Sequence, residues 1–149
     1  MKTLLIVLLV VALGVVGLGL YKTHTTPADL YVFTGEFAGC PARPSCVSSV
    51  ASDDAHRVPA LAHTGDTLRA VSMLREVIDR MGGVIEHESP GYLHAVFATP
   101  RMRYRDDVEL LVLPEGRIEV RSISRFGYRD FDVNRARVEQ LRQAFEVVP

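Results

Sequence analysis

The sequence predicts an α+β fold: a two-layer sandwich in which an antiparallel sheet of about four strands is flanked by two helices, preceded by an N-terminal transmembrane helix. Three patterns predict it. A long uncharged run opens the chain, two later stretches repeat apolar residues at helical spacing, and four extended stretches with short turns lie between them. Successive strands with short turns pair antiparallel, and such a sheet needs helical cover on one face.

Composition narrows the class of protein before any motif is considered. The chain has 149 residues, and 17 Lys and Arg against 18 Asp and Glu give a formal charge of −1. This balance argues against a nucleic-acid partner, because such proteins need a basic face to neutralise phosphates. Two cysteines are too few for a disulfide-built mini-protein or a four-thiolate zinc site. We therefore expect one domain that folds on its own core and holds no cofactor.

The first element is the uncharged run at residues 4–20, LLIVLLVVALGVVGLGL. As a helix it spans roughly 26 Å, close to the ~30 Å core of a bilayer. A cleaved signal peptide is the main alternative. Signal peptides have a shorter apolar region that ends in a cleavage site, and the residues after this run form a poor cleavage site. A buried soluble helix is disfavoured because it would carry a polar face. We expect residues 1–22 to form an uncleaved signal anchor that contacts the lipid bilayer through residues 4–20.

The orientation of this anchor is only weakly encoded. Lys2 precedes the run and Lys22 follows it, so the positive-inside rule is nearly balanced. Short N-terminal anchors generally leave the N-terminus inside. We therefore expect a single-pass protein with its domain outside the cytoplasmic membrane.

The second segment, residues 23–63, predicts a linker with a Cys loop. It contains Pro27, Pro41, Pro44 and Pro59 and shows no sustained helical or strand period. Residues 30–33, Leu-Tyr-Val-Phe, are too apolar for a free tether, so part of the segment should pack on the domain. The globular α+β domain then occupies residues 64–149.

Two amphipathic helices frame this domain. The first has Asp66 or Thr67 as its cap and Gly82-Gly83 as its end. The last helix has Asp132 or Asn134 as its cap. The apolar stripes predicted for the two helices are Leu68, Val71, Leu74, Val77, Ile78 and Met81 in the first, and Val138, Leu141, Phe145 and Val148 in the last.

Two hairpins lie between the helices. One turns at Pro90-Gly91, and the other joins residues 106–113 to 117–124 through Pro114-Glu115-Gly116. With Glu115 at the turn centre, the register of the second hairpin pairs Val112 with Ile118, Leu110 with Val120, Val108 with Ser122, and Asp106 with Ser124. This core face is apolar near the turn and polar at its open end. The other face pairs Glu109 with Arg121, and we expect it to be exposed.

The polar residues admit two interpretations. Arginines beside the start of a helix suit a small anionic ligand in a pocket at the open end of the sheet. Alternatively, an internal Arg–Asp network locks the loop to the sheet. The candidate cluster consists of Asp106, Arg121, Ser122, Ser124, Arg125, Asp130 and Asn134. His94 is either a packed strand residue or a base, and no nucleophile elbow, zinc-protease motif or phosphate-binding Gly loop occurs.

The two cysteines, Cys40 and Cys46, lie in a loop with Pro41 and Pro44 that can close as a disulfide. An export segment implies an oxidising compartment, which favours the bond. Free thiols remain possible from the sequence, whereas metal or redox chemistry is disfavoured because the spacing fits neither a zinc pattern nor a Cys-x-x-Cys pair.

Four motifs in a fixed order resemble a known family. They are CPARPSCVSS at 40–49, YLHAVF at 92–97, RYRDDVELLV at 103–112 and VRSISRFGYRDFDVNRARVEQLR at 120–142. Together they resemble the family catalogued as domain of unknown function 1499. The chain departs from that pattern at Ser45, where the family usually has Asn, and at Phe131-Asp132, where it usually has Leu-Gly.

The resemblance implies a bacterial or plastid origin, frequent N-terminal membrane or export segments and no established activity. It supplies no catalytic residue. We therefore expect a protein of the bacterial inner membrane with a periplasmic domain. Its expected role is a non-enzymatic module that binds an envelope protein or a small anionic ligand. The alternative is a hydrolase that uses Asp106 or His94 with the Arg-rich loop at residues 121–137.

Overall fold

The computed structural model describes residues 2–99 and 103–147. In chain order the elements are α1 (Lys2–His24), α2 (Tyr31–Thr34), β1 (Cys46–Ser48), β2 (Leu61–Ala62), α3 (Thr67–Arg80), β3 (Val84–Ser89), β4 (Tyr92–Ala98), β5 (Arg105–Leu113), β6 (Arg117–Ser124) and α4 (Val133–Glu146). An α+β chain with an antiparallel sheet behind an apolar N-terminal helix is thereby confirmed.

The sheet has six strands rather than about four. The path runs β1-β6-β5-β4-β3, and β2 also pairs with β6. Every pair is antiparallel. The two additional strands, β1 and β2, fall within the stretch predicted as linker and Cys loop. They are three and two residues long, too short to show an alternating pattern along the sequence.

The central hairpin has the predicted register. Leu110 pairs with Val120, Asp106 with Ser124, and Glu109 with Arg121. Gly116 holds a φ of 87° at the turn, a left-handed conformation that glycine adopts without steric cost. Turn chemistry and side-chain alternation were therefore sufficient to align these two strands.

One face of the sheet shares a hydrophobic core with α3 and α4. The sheet residues of this core are Val47, Leu61, Leu93, Ala95, Phe97, Val108, Leu110, Val112, Ile118 and Val120, and the helix residues are Ala70, Val71, Leu74, Val77, Ile78, Val138, Leu141 and Phe145. The predicted stripe was wrong at Leu68, which is 80% exposed. At ~100° per residue, Leu68 lies roughly 120° around α3 from the centre of the buried stripe.

The helix caps agree with the sequence at α3 and differ at α4. The Asp66 carboxylate accepts a hydrogen bond from Arg69 N at 2.6 Å. At α4, Asp132 occupies the cap position but makes no capping bond, and Asp130 accepts from Asn134 N at 2.9 Å instead. Asn134 lies inside the helix and is buried. The predicted stripe residue Val148 lies outside the described residues.

The second face of the sheet is covered by the segment of residues 23–34, which we call the cover segment. Leu30 is fully buried, and the ring of Tyr31 lies 4.9 Å from the ring of Tyr92 in β4. The cover segment begins with the last two residues of α1, and α1 is long and apolar enough to cross a membrane. Its apolar side chains from Leu4 to Leu18 are exposed.

Candidate functional site

The seven residues of the predicted polar cluster lie on two opposite faces of the sheet. Asp106, Ser122 and Ser124 point to the side of α3 and α4, where Asp130 and Asn134 join them. Arg121 and Arg125 point to the cover segment. Asp106 and Arg125 therefore do not face one pocket, because successive residues of a strand face opposite sides.

On the helix side, hydrogen bonds saturate what we call the helix-side cluster: Asp106, Ser122, Ser124, Asn134 and Arg137. Arg137 Nη2 donates to Asp106 Oδ2 at 2.7 Å. Ser122 Oγ donates to Asn134 Oδ1 at 2.6 Å, and Asn134 Nδ2 donates to Ser124 Oγ at 3.0 Å. Buried polar groups need such partners, so this cluster is an internal network.

Asn134 connects this cluster to the rest of the chain. Its Nδ2 lies 3.1 Å from the carbonyl oxygen of Ser45 in the Cys loop and 2.7 Å from Asp130 Oδ2. One amide thus ties the Cys loop, the last strand and the start of α4 together.

Arg137 was not part of the predicted cluster, although it pairs with Asp106 and lies 5.0 Å above the ring of Phe97. A signal was present. Arg137 follows Asn134 by three residues, which places both side chains on one face of a helix.

A small cavity does border the polar end of the sheet on the helix side. It has a volume of about 240 Å³, and its lining includes Asp106, Ser124 and Asp130. The arginine that lines it is Arg129, not Arg125. Three aromatic residues, Tyr104, Phe126 and Phe131, also line it.

On the other face lies a buried ion-pair network of His94, Asp107, Glu109, Arg121 and Arg125. Arg125 donates to both carboxylate oxygens of Asp107, with Nε–Oδ2 2.9 Å and Nη2–Oδ1 2.7 Å. His94 Nε2 lies 2.7 Å from Asp107 Oδ1. Arg121 Nη1 donates to Glu109 Oε2 at 2.9 Å. Two carboxylates and two guanidinium groups thus balance one another out of contact with water.

The cover segment completes this network. Asp29 Oδ2 accepts from Arg121 Nη2 at 2.6 Å, and Glu109 Oε1 accepts from the backbone N–H of Tyr31 at 2.7 Å. The face of Glu109 and Arg121 was therefore wrongly predicted to be exposed, since Arg121 is only 1% exposed. Alternation along the strand placed Glu109 and Arg121 on the correct face. Their burial was not predictable from the strand because the cover segment comes from a distant part of the chain.

Electrostatics favour the charged forms of Asp107 and Arg121. Burial alone would raise the pKa of the Asp107 carboxyl, but hydrogen bonds from His94 and Arg125 outweigh it and lower that pKa. Burial and the neighbouring Glu109 carboxylate raise the pKa of Tyr92 above its usual value. Burial tends to lower the pKa of Arg121, yet Asp29 and Glu109 raise it overall. Near neutral pH, Asp107 and Arg121 are therefore charged and Tyr92 is neutral.

The two candidates for a catalytic base are on different faces. His94 points to the buried network, and Asp106 points to α4. The partner of His94 Nε2 is the Asp107 carboxylate rather than a nucleophilic hydroxyl or thiol. The arrangement can therefore hold charges in place, but His94 and Asp106 cannot act on one substrate together.

The Cys loop, residues 40–46, lies beside the end of the sheet that carries Ser124. The sulfur atoms of Cys40 and Cys46 are 2.05 Å apart, at disulfide distance. Arg43, inside this loop, donates to the carbonyl oxygen of Ser124 at 2.7 Å. Within the described ranges, no group of three His, Cys, Asp or Glu side chains is placed to hold a metal ion.

Comparison with known families matches residues 36–145 to the family described as "Protein of unknown function (DUF1499)". Neither the curated proteins nor the solved structures contain a significant match. The matched range extends from just after the cover segment to the last turn of α4. It thus contains the Cys loop, the whole sheet and both of its helices. On this match the chain belongs to the DUF1499 family.

Proposed function

We propose that this protein is a single-pass protein of the bacterial inner membrane whose periplasmic domain is a non-enzymatic binding or interaction module. The observation that carries the proposal is α1, whose apolar side chains from Leu4 to Leu18 are exposed. A helix that is apolar all round and uncovered by protein is stable in lipid rather than in water. Residues 4–20 would thus contact the bilayer.

The junction between α1 and the sheet supports a tethered domain rather than a loosely linked one. Arg125 Nη1 donates to the carbonyl oxygen of Thr23, near the end of α1, at 3.5 Å. Arg121 holds Asp29 a few residues further along. The chain leaving the helix is therefore fastened to the sheet by two buried guanidinium groups.

The state of the polar groups favours a non-enzymatic role. The acids and bases that could act on a substrate are engaged with one another in the helix-side cluster and the buried network. Asp106 and Asp130 border the small cavity, where they outnumber the single guanidinium group of Arg129, so its lining is unfavourable for a small anion. An envelope protein is accordingly a better supported partner than a small anionic ligand. Among residues 2–99 and 103–147, no contact favours the hydrolase alternative.

Cell fractionation tests the membrane location. The full chain with a C-terminal tag is expressed in a Gram-negative host, and we expect it in the inner-membrane fraction after carbonate extraction. The intact mass should include residues 1–20. A mature chain that begins after residue 20 would contradict the anchor.

The orientation has a separate measurement. Added protease should digest the tagged domain in spheroplasts but not in intact cells. Digestion only after the inner membrane is lysed would place the domain on the cytoplasmic side and contradict export.

A further inference from the structure

The loop between β6 and α4 carries three aromatic residues, Phe126, Tyr128 and Phe131. We name residues 126–131 the aromatic loop. We propose that this loop inserts into the headgroup region of the same bilayer that holds α1, and so gives the domain a second contact with the lipid. The inference rests on the proposed membrane location and adds a second site of contact to it.

The position of Phe126 along α1 places the loop at the depth of the membrane surface. Phe126 packs so closely on Gly19 that a Cβ built there would lie 3.1 Å from the Phe126 Cζ. Gly19 is one residue from the end of the uncharged run at Leu20. If residues 4–20 span the hydrocarbon, Gly19 lies near its boundary, and Phe126 lies at the same level.

Beyond Phe126, the loop turns its large side chains outward. Phe131 is 89% exposed and Tyr128 is 67% exposed. An exposed Phe in water is not stabilising, whereas aromatic rings are enriched at both surfaces of membranes. Tyr128 suits this position because its ring is apolar and its hydroxyl is polar.

The backbone holds Phe131 in this exposed position. Phe131 and Asp132 have φ values of 54° and 63°, in the left-handed region that non-glycine residues rarely occupy. The Asp130 carboxylate accepts from Asp132 N at 3.3 Å and from Asn134 N at 2.9 Å. Strained backbone persists when its surroundings hold it, and such strain is frequent at ligand contacts. The loop is therefore preformed, with its ring outward.

One cation of the loop, Arg129, is available to a lipid surface, although Asp130 and Asp132 follow it in the chain. Arg129 lies between the two exposed rings and is exposed itself, and among the described residues it makes no ion pair. A guanidinium group in this position can donate to lipid phosphate oxygens. Continuity with α1 favours the bilayer over a protein as the occupant of this patch, because lipid already surrounds the adjoining helix.

The test uses the absence of Trp from this chain. Phe131→Trp introduces a single Trp at an exposed site, where the fold does not depend on the ring. Leu68→Trp is the matched control, since Leu68 is also exposed. Leu68 lies at the end of the sheet opposite to the aromatic loop. Its neighbour Thr67 adjoins Gly91, and the carbonyl oxygen of Gly91 accepts a hydrogen bond from Val112 N near the turn between β5 and β6.

Each purified full-length variant is reconstituted in phosphatidylcholine vesicles, with and without bromine on the acyl chains. Bromine quenches Trp only within or close to the lipid. We expect the emission of Phe131→Trp to shift to the blue and to fall about twofold with brominated lipid, as for aromatic residues at a membrane interface. Emission from Leu68→Trp should not change.

The outcomes separate this inference from the membrane location. Vesicle flotation first shows whether the chain is held by lipid, and a chain that does not float overturns both proposals. If the chain floats but Phe131→Trp is quenched no more than Leu68→Trp, the aromatic loop does not enter the lipid and only the anchor stands. A blue shift without bromine quenching would mean that the ring is buried against a second copy, which also overturns the inference.

Discussion

Arg121 shows how the environment of one residue changes its expected energetic role. By alternation it lies on the side of the sheet opposite α3 and α4, where an ion pair with Glu109 was expected to face water. In the structure it is buried and hydrogen-bonded to both Glu109 and Asp29. Removal of one partner from a buried pair leaves an uncompensated charge, whereas an exposed pair contributes little.

The first prediction concerns Arg121→Gln, with Arg117→Gln as the control on the same strand. Arg121→Gln should lower the free energy of unfolding by about 3–5 kcal/mol, because Glu109 would be left buried without its charge partner. The side chain of Arg117 is 55% exposed where it pairs with Glu119, so its loss should cost less than about 1 kcal/mol. Urea midpoints of the full chain in detergent give both values. Equal losses would contradict the burial of Arg121.

The second prediction concerns Asp106, which pairs with Arg137 on the helix side. Asp106→Asn should cost about 1–3 kcal/mol, because the hydrogen bond survives in weaker form and the charge pairing is lost. A double-mutant cycle with Arg137→Gln measures the coupling between the two side chains. A coupling of zero, or no loss of stability in Asp106→Asn, would instead indicate a residue retained for binding.

The third prediction is the pH dependence due to Asp107. Its pKa is lower in the folded protein than in the unfolded chain, where it is about 3.9. The stabilisation is therefore complete above the unfolded pKa and is lost as the pH falls through the folded value. Urea midpoints should fall as the pH drops below about 5, and those of Asp107→Asn should fall less steeply. The groups that face Asp107 are His94 and Arg125, with Glu86 bound to the latter. Parallel curves for the two proteins would contradict this assignment.

At the scale of elements, the cover segment decides the character of the sheet. In an antiparallel sheet, one face is commonly solvated. Here residues 23–34 bury that face. The sequence analysis expected part of this stretch to pack on the domain, but the face it covers was not predicted. Leu30 is its fully buried residue, and Phe33, three residues later, is 64% exposed.

The fourth prediction compares Leu30→Ala with Phe33→Ala. Truncation of a buried Leu leaves a cavity and should cost about 2–5 kcal/mol. Removal of the exposed Phe33 ring should change the free energy of unfolding by no more than about 0.5 kcal/mol. Thermal or urea unfolding of the two variants supplies the measurement. Similar stabilities would show that the cover segment is not part of the folded unit.

At the scale of the whole molecule, the anchor, the cover segment and the domain form a continuous structure. α1 ends at His24, the cover segment crosses the sheet, and the Cys loop enters it at β1. The Cys40–Cys46 pair is at disulfide distance, and structural disulfides are rare in reducing compartments such as the cytosol.

The fifth prediction concerns this pair. Protein taken from the native compartment should gain two alkyl groups only after reduction, as measured by intact mass. The double variant Cys40→Ser and Cys46→Ser should lose about 2 kcal/mol, because the bond closes only a short loop. Two thiols that are labelled without reductant would contradict both the bond and an exported domain.

The sequence by itself determined those features that depend on neighbouring residues. The register of β5 with β6, the Asp66 cap and the separation of Glu109 from Asp106 follow from turn chemistry and alternation, which act over a few residues. The uncharged run of α1 belongs to the same class. So does the family resemblance, which rests on motifs in linear order.

Only the tertiary structure decided which polar side chains meet and which face is closed. The two short strands β1 and β2 form because β6 offers its edge, not because their own residues show a pattern. Arg137 reaches Asp106 across 31 positions, and Asp29 reaches Arg121 across 92. Such contacts depend on the packing of segments that are distant in the chain. Bringing these segments together costs conformational entropy, and buried apolar surface and paired charges offset this cost. Local preferences of the residues do not. That is why polar residues such as Asp106 and Arg125 could be picked out from the sequence, while their partners and their division between two faces could not.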